Sequence, residues 1–245
     1  MEASVIQIFK YLLYDWHQFN YSQKQWVKQN HDKFHDIHDQ MEQGLLNSDL
    51  IKKPIRDIPF TVFDLETTGF FPKIGDEVIS IGALKMNMNQ MEFPESFYEV
   101  ISPIKMASLN IRTLTGLSMS EIRSGKPFPV GFLNFWEFSR SSVVVAHPAS
   151  FDVNFLKEMA HRWKLPPYNP VSIDSYEMAN FLYPNNRNSL DELVHHFGVE
   201  EKLRHHALND AHMTAEVFQY LVNELEKKGI YTIDDYWQAC KKPRS

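Results

Sequence analysis

Apolar residues follow two different rhythms along the chain, and the rhythm changes near residue 60. Val5, Phe9, Leu12 and Trp16 recur at spacings of four, three and four, one face of a helix that opens after Ser4. Ser22 followed by Gln25 has the form of a capping box, ahead of a second periodic run through Trp26, Ile37 and Met41. The segment KKPIRDIP, 52–59, carries two prolines and predicts a connector. Beyond it FTVFDLE reads as a short strand, EVISIGALKMN alternates with a period near two, and Glu92 to Ile101 is a third strand candidate. Helices are predicted over 107–123 and 127–139. SSVVVAH is a bounded β-branched run, the mark of a buried strand. Phe151, Phe155, Met159 and Trp163, four apart, predict a helix over 150–164, and further helices are expected at 174–182, 189–197 and 207–228. Strands first and helices later, with a β-α crossover, indicate an α/β or α+β domain around one sheet. The expected organisation is an N-terminal helical extension over 1–57, one globular domain over 58–228 and a C-terminal tail over 229–245.

Composition narrows the class. The 245 residues are 43% apolar and 23% charged, a globular balance, and the formal net charge is -6. No stretch approaches the roughly 18 apolar residues of a membrane span, and the N-terminus lacks a basic leader. Cys240 is the only cysteine, which excludes an internal disulfide framework and a Cys-rich zinc site. The expectation is a cytoplasmic protein without a membrane partner. The acidic balance argues against holding nucleic acid by bulk charge, though not against an enzyme that acts on it. The extension has 7 basic and 8 acidic residues, so it is no basic arm.

Candidate chemistry gathers on a few acids. Asp64 and Glu66, two apart on a strand, project from one face, and two carboxylates on a buried strand are expensive unless a cation compensates them. The plainer reading is a strand end whose acids reach water. Asp152 follows the second buried strand, where an acid in a helix's first turn is favoured by the dipole alone. Asp210 lies within a helix, where an exposed acid is ordinary. Jointly these acids form an oxygen-rich set suited to Mg²⁺ or Mn²⁺.

VFDLETTG, VVAHPASFDVNFL and HHALNDAHMTA, in this order, resemble the three exonuclease motifs of the DnaQ-like (DEDDh) family over roughly residues 60–226. The resemblance implies an RNase H-like α/β fold, a central mixed five-stranded sheet flanked by helices, here with the N-terminal helical extension added. It implies 3′-to-5′ release of nucleoside 5′-monophosphates. Motif matching gives Asp64, Glu66, Asp152 and Asp210 as ligands of two divalent cations. The family's general base lies five residues before the last Asp, which selects His205; the adjacent His206 is expected outside the site. Two such ions stabilise the attacking and leaving oxygens of an in-line displacement, and an imidazole titrating near neutrality suits the water's proton. Thr67, Thr68 and Gly69 match the turn that approaches the terminal nucleotide. Phe70 and Phe71 are candidates for stacking or for the core. LTGLS, 114–118, looks like the family's terminal-base loop, with Leu114 and Leu117 as wedges. Asp174 and Asp191 match family acids outside the metal shell and are given structural roles. Pro148 departs from the pattern, standing where the family commonly has Asn and offering neither an amide side chain nor a backbone donor.

The function expected is therefore a two-metal 3′-5′ exonuclease on single-stranded or frayed 3′ ends of DNA. DLETTG resembles the proofreading branch more than the oligoribonuclease branch. The alternatives are an RNA 3′-end trimming nuclease and, because of Pro148, a catalytically weakened nucleic-acid-binding module. The extension is expected to pack on the domain; docking a DNA polymerase or a second copy are the other roles open to it. His31, His35 and His38 sit at helical spacings, and a solvated face is preferred over zinc binding.

Overall fold

The computed structural model describes residues 3–42, 48–89, 93 and 95–241. Three helices come first: α1 (Val5–Lys10), α2 (Trp16–Gln29) and α3 (His31–Glu42), with a π-helical turn at Tyr11–Asp15 joining the first two. A mixed sheet follows, built from β1 (Phe60–Thr67), β2 (Val78–Met86), β3 (Glu95–Ser102), β4 (Lys126–Pro127), β5 (Val143–Ala146) and β6 (Ser172–Asp174). Its order is β4-β3-β2-β1-β5-β6. β1 and β3 flank β2 antiparallel, while β5 runs parallel to β1 and β6 parallel to β5. The sheet has six strands, not five. The two-residue β4 and three-residue β6 are too short to leave a period in the sequence. Glu92, expected to open the third strand, lies outside the described residues.

Helices cover both faces. Between strands run α4 (Leu109–Thr115), α5 (Met119–Ser124), α6 (Phe128–Ser139) and α7 (Ala149–Arg162), then α8 (Ser175–Leu182), α9 (Leu190–Phe197), α10 (Ala207–Lys227) and α11 (Ile233–Lys241). Phe60 and Val62 of β1 share a core with Phe218 and Leu221 of α10, whereas Phe63 and Leu65 share the other with Phe135 of α6 and Phe155 of α7. Such two-sided burial explains why β1 and β5 read as apolar runs. The helix expected over 107–123 is two, because Gly116 takes a left-handed conformation (φ 73°) and Ser118 caps a new start with Glu121.

The two ends of the chain differ most from expectation. Val5, Phe9, Leu12 and Trp16 are 67%, 61%, 57% and 47% exposed. The π turn, with its i→i+5 bonding, shifts the phase of the helix, so that Phe19 and Gln23 are the residues buried on the domain. α2 runs through Ser22 and Gln25 without a start there, and ends at Asn30. Ile37 and Met41 of α3 join the core. The side-chain amide of Gln23 donates to the Trp163 carbonyl and His38 donates to that of Lys164, so the extension caps the C-terminal end of α7. The segment after 229, expected as a tail, forms α11, whose Ile233 and Tyr236 are core residues. Residues 242–245 lie outside the described set.

Candidate active site

β1 carries its core side chains onto the α10 face as Phe60 and Val62, and continues on the same face as Asp64 and Glu66. The pairing of Asp64 with Gly82 of β2 decides what lies opposite. A Cβ at Gly82 would run into the backbone of Ala207 and Leu208, so this glycine lets the start of α10 press onto the sheet. That approach brings Asp210, in the first turns of α10, over the β1 carboxylates. Asp152 arrives from the other face, in the first turn of α7 beyond the carboxyl ends of the parallel pair β1 and β5. β5 stops at Ala146, and α7 begins three residues later, at Ala149.

Donor atoms of Glu66, Asp210 and His205 all lie within 4.8 Å of one another. Glu66, Asp152 and Asp210 are buried, and His205 is exposed. His205 has a left-handed backbone (φ 60°), and its N–H donates to Asp210 Oδ2 at 3.1 Å. His206 is turned away and stacks on Tyr98 of β3, ring centroids 4.7 Å apart.

The electrostatics of this cluster call for cations. Burial is the largest cause that raises Asp64 well above the carboxylate range, and the charges of Asp152, Asp210 and Glu66 raise it further. Burial and then Asp210 push Glu66 up to about 8. Asp152 is raised well above its ordinary value by burial, then by Asp174 and Glu66. Asp210 is raised by burial, with Arg204 and the His205 N–H opposing. Like charges on carboxylates this close cannot all be held without compensation. Arg204 supplies the nearest positive charge, Nη1 standing 2.5 Å from Asp210 Oδ1 and Nε 2.5 Å from Asp191 Oδ1. The Asp210 contact is a charge pair without hydrogen-bond alignment, so Oδ1 is buried yet lacks a directional donor. A donor set of carboxylates, all raised, with one such oxygen, fits a divalent cation.

The turn after β1 is locked internally. Thr67 Oγ1 donates to the Gly69 carbonyl at 2.7 Å, and Thr68 Oγ1 accepts from the Glu77 N–H at 2.9 Å. A side chain at Gly69 would collide with the Asp76 carboxylate. Both hydroxyls are therefore engaged within the turn. Arg162, at the end of α7, donates to the carbonyls of Asp76 and Pro72 and lies 4.0 Å over the Phe19 ring of the extension. Phe70 is exposed and edge-on to Phe151, the neighbour of Asp152. Leu114 is half exposed on α4, whereas Leu117 is buried with Ile79, Ala107 and Ile122.

Pro148 is the N-cap residue of α7 and follows a cis peptide bond. It has no side-chain acceptor, and Asp174 Oδ2 takes the Ser150 N–H at 2.8 Å instead. Asp174 also accepts from Tyr176 and Glu177 at the start of α8. Its structural role is thus to cap two helices, and Asp191 holds Arg204. Sequence reading missed Gly82 and Arg204. An isolated glycine within a strand pattern was the available signal for the first; nothing marked the second.

A family model for RNase_T, described as exonuclease, matches residues 61–218. The DNA polymerase III PolC-type protein of Caldanaerobacter subterraneus subsp. tengcongensis is 35% identical over 177 residues, 72% of this chain and 12% of that protein. Its counterpart in Thermotoga maritima is 32% identical over 184 residues, 73% of this chain and 13% of the relative. The chain therefore spans about an eighth of the length of these relatives. Among solved structures, the nuclease domain of 3′hExo, a DEDDh family member bound to rAMP, superposes with a TM-score of 0.60 at 16% identity. The overlap covers 71% of this chain and 94% of that one. E. coli exonuclease I in complex with a dT13 oligonucleotide also gives 0.60 at 16% identity, covering 71% of this chain and 43% of that. At such identities the likeness is one of fold.

Proposed function

The chain belongs to the RNase_T exonuclease family, as a DnaQ-like 3′-5′ exonuclease, and from that premise we propose that it removes nucleoside 5′-monophosphates from single-stranded or frayed DNA 3′ ends. The observation that carries this reading is the convergence of Glu66, Asp210 and His205 on one point beside Asp64 and Asp152. Asp64, Glu66, Asp152 and Asp210 would hold two divalent cations, Mg²⁺ or Mn²⁺. When bound, such ions supply an acidified water and charge stabilisation at the scissile phosphate.

The protein's own groups do the rest. His205, exposed at the mouth and tied through its N–H to Asp210, accepts the proton of the attacking water. Buried Asp152, fixed in the first turn of α7, stands against the end of the sheet. Thr67, Thr68 and Gly69 offer a rigid turn to the terminal nucleotide, with Phe70 exposed for stacking and Leu114 for wedging. The helix caps that Asp174 provides support an active enzyme over a binding module, because they satisfy the amide that Pro148 leaves uncapped.

PolC-type relatives that are DNA polymerases favour DNA over RNA and a polymerase as the partner. The test is a panel of single- and double-stranded DNA and RNA, labelled at either end, with Mg²⁺, Mn²⁺ or EDTA, beside Asp152→Ala. Labelled mononucleotide is expected from 3′-labelled DNA single strands, with metal and with intact Asp152 only. Faster release from RNA would make this an RNA trimming nuclease. No release from any substrate would leave a binding module.

A further inference from the structure

Arg204 is the one residue of the cluster that the proposed chemistry does not use, and it occupies a specific place. It immediately precedes His205 and is half-buried. One nitrogen faces Asp210 and another faces Asp191, each at 2.5 Å. Asp191 is exposed, with its side chain 70% accessible, while that of Asp210 is 6% accessible. Arg204 thus bridges a solvent-side anchor and an inner carboxylate. The inner contact lacks hydrogen-bond alignment, whereas Nε donates properly to Asp191.

We propose that Arg204 is an internal counter-cation of the carboxylate cluster, which divalent metal displaces from Asp210 while Asp191 keeps the guanidinium tethered nearby. It is a positioning residue, sharing with His205 the short segment that Asp210 holds at both ends, through the ion pair and through the His205 N–H. The inference rests on the metal reading of the site. Guanidinium cannot give up its proton, so it yields Asp210 only by moving. A cation that must be moved weakens the binding of another to the same oxygen. Arg204 therefore lowers metal affinity and, without metal, stabilises the fold by relieving repulsion among the acids.

Mn²⁺ titration of the full chain, followed by the signal of the free ion at fixed pH, tests this beside thermal unfolding in EDTA. Arg204→Gln is expected to bind Mn²⁺ about tenfold more tightly, about 1.4 kcal/mol. It should also melt lower than wild type in EDTA, and the gap should close under saturating Mn²⁺. Arg204→Lys should stay close to wild type in affinity, because the charge is kept. Asp191→Asn, which loosens the tether, should bind about threefold more tightly, and it carries the test if Arg204→Gln does not fold. Unchanged or weaker Mn²⁺ binding in Arg204→Gln, or in Asp191→Asn where that variant carries the test, overturns the proposal and leaves the metal site standing. A wild type that binds no Mn²⁺ overturns both.

Discussion

His205 is the residue to which the proposed chemistry gives the proton of the attacking water. Its side chain is exposed, so substituting it removes a reacting group without opening the core. The buried acids are different, because removing one also relieves repulsion among the others. His205→Ala is expected to lower kcat by about 10²–10⁴-fold, the range for loss of a positioned base. Its backbone N–H to Asp210 survives the change, so Mn²⁺ affinity should move by no more than a few-fold. Single-turnover cleavage and Mn²⁺ titration on the same preparation check both parts. Full turnover in His205→Ala would transfer the role of base elsewhere. The acids and His205 stand in three short motifs, so the family resemblance picks them out as candidates where the spacing of each acid alone is ordinary. Arg204 was not legible in sequence, since its meaning depends on Asp191 and Asp210, which flank it on different helices.

At the scale of elements, the site exists because α10 comes unusually close to β2. Its enabling residue is Gly82, where a Cβ would meet peptide backbone that cannot rotate away. Gly82→Ala should push the start of α10 outward, carrying Asp210 and His205 away from Asp64 and Glu66. Overpacking of this kind typically costs about 1–3 kcal/mol, and a displacement near 1 Å can lower the rate about 100-fold. Denaturant unfolding and kcat together measure it. A variant with wild-type rate would mean that α10 does not set the alignment. Long-range contact of this sort also limits what a sequence tells about its elements. The longer strands were legible as bounded apolar runs or as alternation and the long helices as periods, whereas β4 and β6 are too short for either. The extension misled because its apolar period, through Val5 and Phe9, faces solvent, while the polar Gln23 is buried at 2% and reaches Trp163.

For the molecule as a whole, a charge of -6 includes a cluster of acids that the fold forces together. Linkage turns that into a pH dependence whose sign can be worked out. Glu66 is raised to about 8 in the folded protein, so between its ordinary value near 4.5 and about 8 the native state holds a proton that the unfolded state has lost. Stability from this group is complete below pH 4.5 and disappears as pH rises through 8. His147 works in the opposite sense: burial lowers it to about 4, so its contribution is present above pH 6.5 and lost on acidification. A window of pH 7 to 8 therefore isolates the acids. In EDTA the unfolding free energy should fall there by about 1.4 kcal/mol per pH unit for each proton retained. Asp64 and Asp152, raised by the same burial and repulsion, steepen the fall. Saturating Mg²⁺ should reverse the slope, since deprotonated carboxylates bind it better and binding to the native state adds stability. Calorimetric unfolding at pH 7.0, 7.5 and 8.0, with EDTA and with Mg²⁺, gives both slopes, and two flat, coincident lines would mean that the acids are not coupled to a cation.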